Sequence, residues 1–204
     1  MTISLKNIGK KFNKDWIFRN LNYEFTSNNS YAITGANGSG KSTLLQIISG
    51  FVIPTEGEVG SGEIEAINDK HQIPNIFSIA APYLELIEEM TATEFLQFHQ
   101  QFKSYINQLS IAEILSLVQL SNAADKQIRY FSSGMKQRLK LAQAFFSDSN
   151  ILLLDEPCSN LDKQGISLYH QLINNYSGNR LIIICSNDEF EYSFCKEKIN
   201  LSKS

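Results

Sequence analysis

A glycine-rich stretch, GANGSGKS at residues 35–42, constrains the fold of this chain more than any other feature. It follows a short apolar run at 31–34 that is typical of a buried strand, and it precedes a stretch with helical apolar period at 43–49. Gly50 can end that helix in the left-handed conformation. Glycines let backbone N–H groups curl round an anion, and the helix that follows adds the positive end of its dipole. The sequence therefore predicts a strand, a phosphate-binding loop and a helix in that order.

Polar residues in this loop and at the end of a second strand indicate its chemistry. Lys41 is expected to reach the β- and γ-phosphates of a nucleotide, and the Ser42 hydroxyl is expected to bind Mg²⁺. An apolar run at 151–154 ends in Asp155 and Glu156. Two carboxylates at the edge of a buried sheet are costly unless a cation or a reacting water meets them. We therefore expect Asp155 to hold Mg²⁺, directly or through water, and Glu156 to polarise the attacking water.

The remaining periodicity separates strand-rich from helix-rich parts of the chain. Residues 17–26 alternate apolar and polar side chains, as in an antiparallel strand with one wet face. Residues 76–81 and 181–185 are predicted to be strands buried on both faces. Helical patterns dominate residues 84–148, where the expected helix starts are Thr91 or Thr93, Ser110, and the position after Gly134.

These segments predict an α/β fold class. We expect a P-loop NTPase core of mainly parallel sheet with helices, an N-terminal antiparallel β subdomain and an inserted α-helical subdomain. At 204 residues the chain suits a single domain over 1–204. In this interpretation 1–83 and 149–204 form a core lobe, and about 84–148 form a helical lobe.

Composition narrows the partners and the compartment. A net charge of −3 gives the chain no general attraction for polyphosphate backbones, so no nucleic-acid partner is expected. No apolar stretch approaches the roughly 20 residues that span a bilayer, and the N-terminus lacks the apolar region of a signal peptide. We therefore expect a cytoplasmic protein, with its three cysteines as free thiols.

Beyond these motifs the chain resembles the ATP-binding cassette (ABC) family of ATPases over nearly its whole length. FSSGM at 131–135, continued by KQR, resembles the family's signature sequence, usually LSGGQ. SNLD at 159–162 resembles its D-loop, which crosses a dimer interface just after the catalytic glutamate. The resemblance implies that Ser132 and Gly134 act in trans on nucleotide bound by a second subunit.

The resemblance also implies cofactors, partners and site residues. ATP and Mg²⁺ are the implied cofactors. An integral membrane permease is the implied partner, and it would hold the chain at the inner face of the cell membrane. On ATP binding the chain would form a homodimer, or a heterodimer with a related cassette. Phe12 matches the aromatic residue that stacks on adenine, and Trp16 is a nearby alternative. The implied catalytic set is Glu156, Lys41 and Asn187, the metal ligands are Ser42 and Asp155, and the ATP contacts are Phe12, Gly35, Asn37, Gly38, Ser39, Gly40, Lys41, Ser42, Thr43, Ser132 and Gly134.

Two positions depart from the family pattern. Pro82 stands where a glutamine that orients Mg²⁺ and water is expected, and proline can do neither. The acidic and aromatic neighbours Tyr83, Glu85, Glu88 and Glu89 are the available replacements. Asn187 follows the 181–185 strand where a histidine is expected. Its amide can donate a hydrogen bond to a γ-phosphate, but it does not titrate near neutral pH. We expect hydrolysis that is slow but real.

The leading hypothesis is an ATP-hydrolysing subunit that powers an ABC transporter through nucleotide-driven dimerisation. The compact chain is similar in size and layout to the ATPases of cytochrome c haem-export systems and of ABC-2 type exporters, which favours export. The alternative is a soluble ABC-type ATPase that drives assembly of a protein complex, as in iron–sulfur cluster biogenesis, without a membrane partner. Co-purification with an integral membrane protein distinguishes the two hypotheses.

Overall fold

The computed structural model describes residues 1–61 and 76–201. The strands of this part of the chain are β1 (Thr2–Phe12), β2 (Asp15–Thr26), β3 (Ser30–Thr34), β4 (Glu56–Ser61), β5 (Phe77–Ala80), β6 (Ile151–Asp155), β7 (Leu181–Cys185) and β8 (Glu197–Asn200). The helices are α1 (Lys41–Ile48), α2 (Ala92–Gln100), α3 (Ile111–Leu117), α4 (Ser133–Phe146), α5 (Lys163–Tyr176) and α6 (Glu189–Tyr192), with 3-10 turns at Ile106–Gln108, Ser121–Ala123 and Ile128–Tyr130.

A five-stranded parallel sheet of order β5-β6-β7-β3-β8 forms the centre of the molecule. Every residue of β3, β6 and β7 is buried, because helices cover both faces of the sheet. Leu152, Leu154 and Ile184 pack into one apolar cluster with residues of α4 and α5, while Leu153 and Ile183 face the other cluster with residues of α1. Parallel strands end at one edge, so the loops after β3, β5, β6 and β7 meet there.

A second, antiparallel sheet of order β2-β1-β4 lies at the N-terminal end of the chain. Strands β1 and β2 pair from Thr2 opposite Thr26 to Phe12 opposite Asp15, with irregularities after Leu5 that bend the pair. The predicted strand at 17–26 is confirmed and begins two residues earlier, at Asp15. This sheet and the parallel core confirm the predicted fold class.

Side-chain caps set the N-terminal ends of helices α2, α3 and α4. Thr91 and Ser110 each form a capping box, with Glu94 and Glu113 respectively closing back onto the cap. Of the two predicted caps, Thr91 starts α2, and Thr93 donates instead to Ala124 O. Helix α4 begins at Ser133, before the predicted start after Gly134, because Ser132 caps it.

The two-lobe division of 1–204 stays a prediction. Part of that range, residues 62–75 and 202–204, lies outside the described residues. No helix in the described segments is long and apolar enough to cross a membrane.

Candidate nucleotide-binding and hydrolysis site

The loop between β3 and α1 has the geometry of an anion cradle. Gly40 precedes α1 with φ +96°, a conformation that L side chains rarely adopt, and a Cβ there would lie 2.4 Å from Ile17 Cγ2. Lys41 is only 7% exposed, and its Nζ donates to Gly35 O at 2.8 Å and to Ala36 O at 3.3 Å. The ammonium is thereby folded back over the loop, at the positive end of the α1 dipole.

A pocket of about 360 Å³ opens at this loop. Glu156 reaches it from the end of β6, and Ile17 borders it from the antiparallel sheet. The pocket's remaining lining belongs to the predicted phosphate loop and the start of α1: Asn37, Gly38, Gly40, Lys41, Ser42 and Thr43. The structure thus brings most of the predicted phosphate contacts to one concave surface.

Asp155 supplies a buried carboxylate beside the loop. The residue is 2% exposed, and its burial raises the pKa of the carboxyl to about 6, with hydrogen bonding from Ser42 and the charge of Lys41 opposing the shift. Its Oδ2 atom is buried and has no hydrogen-bond partner among the described residues. A hydroxyl and one unsatisfied carboxylate oxygen fit Mg²⁺, which takes few protein oxygens and keeps several waters.

Glu156 is held out of the sheet by a strained backbone. Its φ of +43° lies in the left-handed region, which is uncommon for a residue with a side chain. Two backbone bonds fix this conformation: Glu156 N donates to Cys185 O at 2.9 Å, and Ser159 N donates to Glu156 O at 3.0 Å. The side chain is consequently exposed at the pocket, where it can meet a water.

The Asn187 amide, just after β7, connects to the phosphate loop after β3. Gly35 N donates to Asn187 Oδ1 at 3.2 Å, and Asn187 Nδ2 donates to Asn37 Oδ1 at 3.1 Å. Strand β7 neighbours β3 in the sheet, which is why the residue after one strand reaches the loop after the other. The sequence did not predict this clamp on the phosphate loop, and contact between Asn187 and a γ-phosphate stays a prediction.

The two candidate adenine-stacking residues differ in their surroundings. The Trp16 ring is covered by Arg19, with the guanidinium carbon 4.1 Å from the ring centroid, and by Lys11 Nζ at 5.3 Å. Phe12 is 48% exposed, with Lys10 Nζ 4.9 Å from its ring centroid. The more open ring favours Phe12 as the stacking residue.

The signature segment lies elsewhere in the chain. Ser132 is exposed, and its hydroxyl accepts a hydrogen bond from Met135 N at 3.2 Å. A Cβ on Gly134 would lie 3.1 Å from Asn160 O, so the signature segment and the D-loop segment touch within one chain. Neither Ser132 nor Gly134 lines the pocket at the phosphate loop.

The segment around Pro82 is tied to α4. Lys140 Nζ donates to Pro82 O at 3.1 Å and to Ala81 O at 3.3 Å, and Lys136 forms an ion pair with Glu88. Among the four alternatives to the missing glutamine is Tyr83, where burial and the nearby charge of Asp155 raise the pKa of the hydroxyl.

A phosphate loop between strand and helix, with two carboxylates at the end of a neighbouring strand, defines a P-loop nucleotide-binding protein. Comparison with known proteins narrows the class. The family model described as "ABC transporter" matches residues 18–159. The chain therefore belongs to the ABC transporter family, and it is an ATPase of that family.

Individual relatives agree with this assignment. An uncharacterised ABC transporter ATP-binding protein of Bacillus subtilis, YybJ, is 32% identical over 95% of this chain and 89% of its own length. The lantibiotic transport ATP-binding protein SrtF of Streptococcus pyogenes is 30% identical over 90% of this chain and 79% of its own length. Two longer Bacillus subtilis relatives are covered over 55% of their length.

A solved structure shares the fold. A dimeric ATP-binding cassette in a post-hydrolysis state, bound to ADP and Pi, superposes with a TM-score of 0.84. It covers 99% of this chain and 96% of its own, at 24% sequence identity. This confirms the fold of an ABC cassette.

Proposed function

We propose that this chain binds and hydrolyses ATP at the phosphate-loop pocket and that dimerisation on ATP couples hydrolysis to a membrane permease. One observation carries the proposal: the exposed Glu156 and the folded-back Lys41 line one pocket, and the buried, half-satisfied Asp155 lies behind it, beside Ser42. The family's ATP-binding transport proteins support the same function.

Each residue has a defined part in hydrolysis. On ATP binding, Lys41 exchanges its bonds to the Gly35 and Ala36 carbonyls for phosphate oxygens. Ser42 and Asp155 would hold Mg²⁺, which neutralises charge on the phosphates when bound. Glu156, outside the metal ligands, orients the attacking water.

A second copy of the chain completes the site. The pocket lining leaves one side to solvent, and the exposed Ser132 hydroxyl and Gly134 backbone of the same chain are not part of it. A head-to-tail pair would place these groups on the open side of the partner's nucleotide. The dimeric form of the similar solved cassette supports this arrangement.

An apolar surface near the end of α1 is our proposed permease contact. Phe51 and Phe102 are each 64% exposed and line one cavity of about 190 Å³, and the rings of Phe98 and Phe102 lie 5.1 Å apart. Exposed aromatic clusters beside a cavity are typical of protein interfaces. In our proposal an amphipathic helix from a cytoplasmic loop of the permease binds this surface, and the chain then lies at the inner face of the membrane.

ATP hydrolysis by the purified chain tests the assignment. Wild type should release phosphate, while Glu156→Gln should bind ATP, hydrolyse it at least 100-fold more slowly, and dimerise with ATP. Lys41→Ala should lose ATP binding. Equal hydrolysis by wild type and Glu156→Gln would remove Glu156 from the mechanism.

Purification from native membranes tests the permease: Phe102→Ser should lose a co-purifying integral membrane protein, and finding none with wild type would contradict this part of the proposal.

A further inference from the structure

A tyrosine emerges at the sheet edge where Asp155 lies. Strands β5 and β6 pair in parallel, so the turn at 81–84 begins beside the end of β6. The turn is closed by a hydrogen bond of 3.2 Å from Leu84 N to Ala81 O, which leaves Tyr83 between these two residues. Sheet order thus brings Tyr83 to the sheet edge at which Asp155 lies.

Tyr83 is oriented by a residue of α1. Its hydroxyl hydrogen-bonds with Gln46, and the charge of Asp155 acts on it. Gln46 follows Ser42 by one helical turn, so both stand on the same face of α1. Tyr83 is 38% exposed, yet burial raises the pKa of its hydroxyl above the ordinary value for a phenol, and the Asp155 charge adds to this.

This corner has polar groups suited to an ordered water. Asp155 Oδ2 is buried without a partner among the described residues, and Mg²⁺ held there would keep several waters. Those waters need hydrogen-bond partners in the protein. A phenol both donates and accepts, so Tyr83 can bond to Gln46 with one function and to water with the other.

We propose that Tyr83 is a positioning residue of the ATPase site. Its hydroxyl orients a water in the metal shell held by Ser42 and Asp155, and it takes over the part of the glutamine whose place Pro82 occupies. The inference rests on the proposed function, since it assumes ATP at the phosphate loop. Tyr83 would act on the metal shell and leave direct nucleotide contacts unchanged.

The test measures ATP affinity with and without the metal. In the full chain carrying Glu156→Gln, which keeps ATP intact, the dissociation constant for ATP is measured in Mg²⁺ and in EDTA. Tyr83→Phe should reduce the gain in affinity due to Mg²⁺ by roughly 2- to 10-fold, the factor expected for one lost hydrogen bond, with the EDTA value unchanged. With Glu156 restored, kcat should fall by a similar factor and KM should change less.

Two further variants sharpen the result. Tyr176→Phe removes a hydroxyl from α5, where the ring packs on Phe146, and should leave both affinities as in wild type. Pro82→Gln added to Tyr83→Phe should recover part of the Mg²⁺ effect, and no recovery would overturn the equivalence with glutamine.

Other outcomes separate this inference from its premise. An unchanged Mg²⁺ effect in Tyr83→Phe, or an equal loss in Mg²⁺ and EDTA, would overturn the role of Tyr83 while leaving ATP binding in place. Absence of ATP binding by the chain without the tyrosine change would instead overturn the proposed function.

Discussion

The Asn187 amide holds the phosphate loop through an acceptor and a donor on the same carbon. Its oxygen accepts from Gly35 N and its nitrogen donates to Asn37 Oδ1. An imidazole carries its two nitrogens on different sides of a ring, and it cannot place both bonds in this way. Compared with a histidine at this position, Asn187 lacks a group that titrates near neutral pH, but it makes two hydrogen bonds to the phosphate loop.

Removing this amide is expected to loosen the loop. Asn187→Ala loses both hydrogen bonds. At roughly 0.5–1.5 kcal/mol for each bond, their loss should weaken ATP binding by about 5- to 150-fold. Equilibrium titration with ATP measures the effect. Asn174→Ala, an exposed position on α5, is the matched control. Wild-type affinity in Asn187→Ala would show that the loop holds its shape without the clamp.

Of the three glycines with positive φ in the phosphate loop, Gly38 and Gly40 have contrasting surroundings. A Cβ at Gly40 would lie 2.4 Å from Ile17 Cγ2 and 2.8 Å from Phe18 Cδ1, whereas a Cβ at Gly38 would meet nothing within 4 Å. Gly38→Ala should cost only the left-handed backbone term, about 1–2 kcal/mol. Gly40→Ala adds a clash with a packed core and should cost about 2–5 kcal/mol.

Urea denaturation of the nucleotide-free chain measures this difference. The two variants have the same chemical change in the same loop, so the comparison isolates the steric contribution. Equal loss of stability in both would mean that β2 moves to accommodate the Gly40 methyl group.

At the scale of elements, helices α2 and α4 are joined by a partly buried histidine. His99 Nε2 lies 2.8 Å from Ser147 Oγ, and its Nδ1 lies 3.1 Å from Gln143 Nε2. Because the Gln143 amide nitrogen only donates, Nδ1 must accept, and Nε2 carries the proton. Burial, together with the nearby charge of Lys103, lowers the pKa of His99 to about 4.

Acid should therefore weaken this junction. In the unfolded chain the histidine is protonated near pH 6.5, whereas in the folded chain His99 is protonated only near pH 4. The contribution of neutral His99 to stability is therefore complete above pH 6.5 and is lost as the pH falls from 6.5 to 4. The expected loss is on the order of 2 kcal/mol. Denaturation at pH 7.5 and pH 5 measures it. His99→Gln should flatten this dependence, while His170→Gln should keep it; an unchanged slope in His99→Gln would refute the assignment.

Local signals predicted elements better than contacts between them. Thr91 and Ser110 cap their helices as expected, because a capping box needs only four consecutive residues. The grip of Asn187 on Asn37 depends on β7 lying beside β3, an order that periodicity does not encode. The approach of Tyr83 to Gln46 likewise follows from the pairing of β5 with β6. The phosphate loop was predictable since its strand, glycines and helix are contiguous.

At the scale of the whole molecule, the separation of Ser132 from the phosphate-loop pocket makes a strict prediction about mixed dimers. Lys41→Ala disables the nucleotide end of each site and Ser132→Arg the signature end, so neither variant alone should hydrolyse ATP. In a head-to-tail pair of one copy of each, both lesions fall in one site and the other site is intact. With random pairing, half of the dimers are mixed, and about a quarter of wild-type activity should return.

Phosphate release is measured on equal mixtures of the two variants. The control is an equal mixture of Lys41→Ala and Glu156→Gln. Both of these changes lie in the nucleotide end of the site, so each site of a mixed dimer carries one of them and no activity should return. If the Lys41 and Ser132 variants stayed inactive together, each chain would have to supply both groups to its own nucleotide.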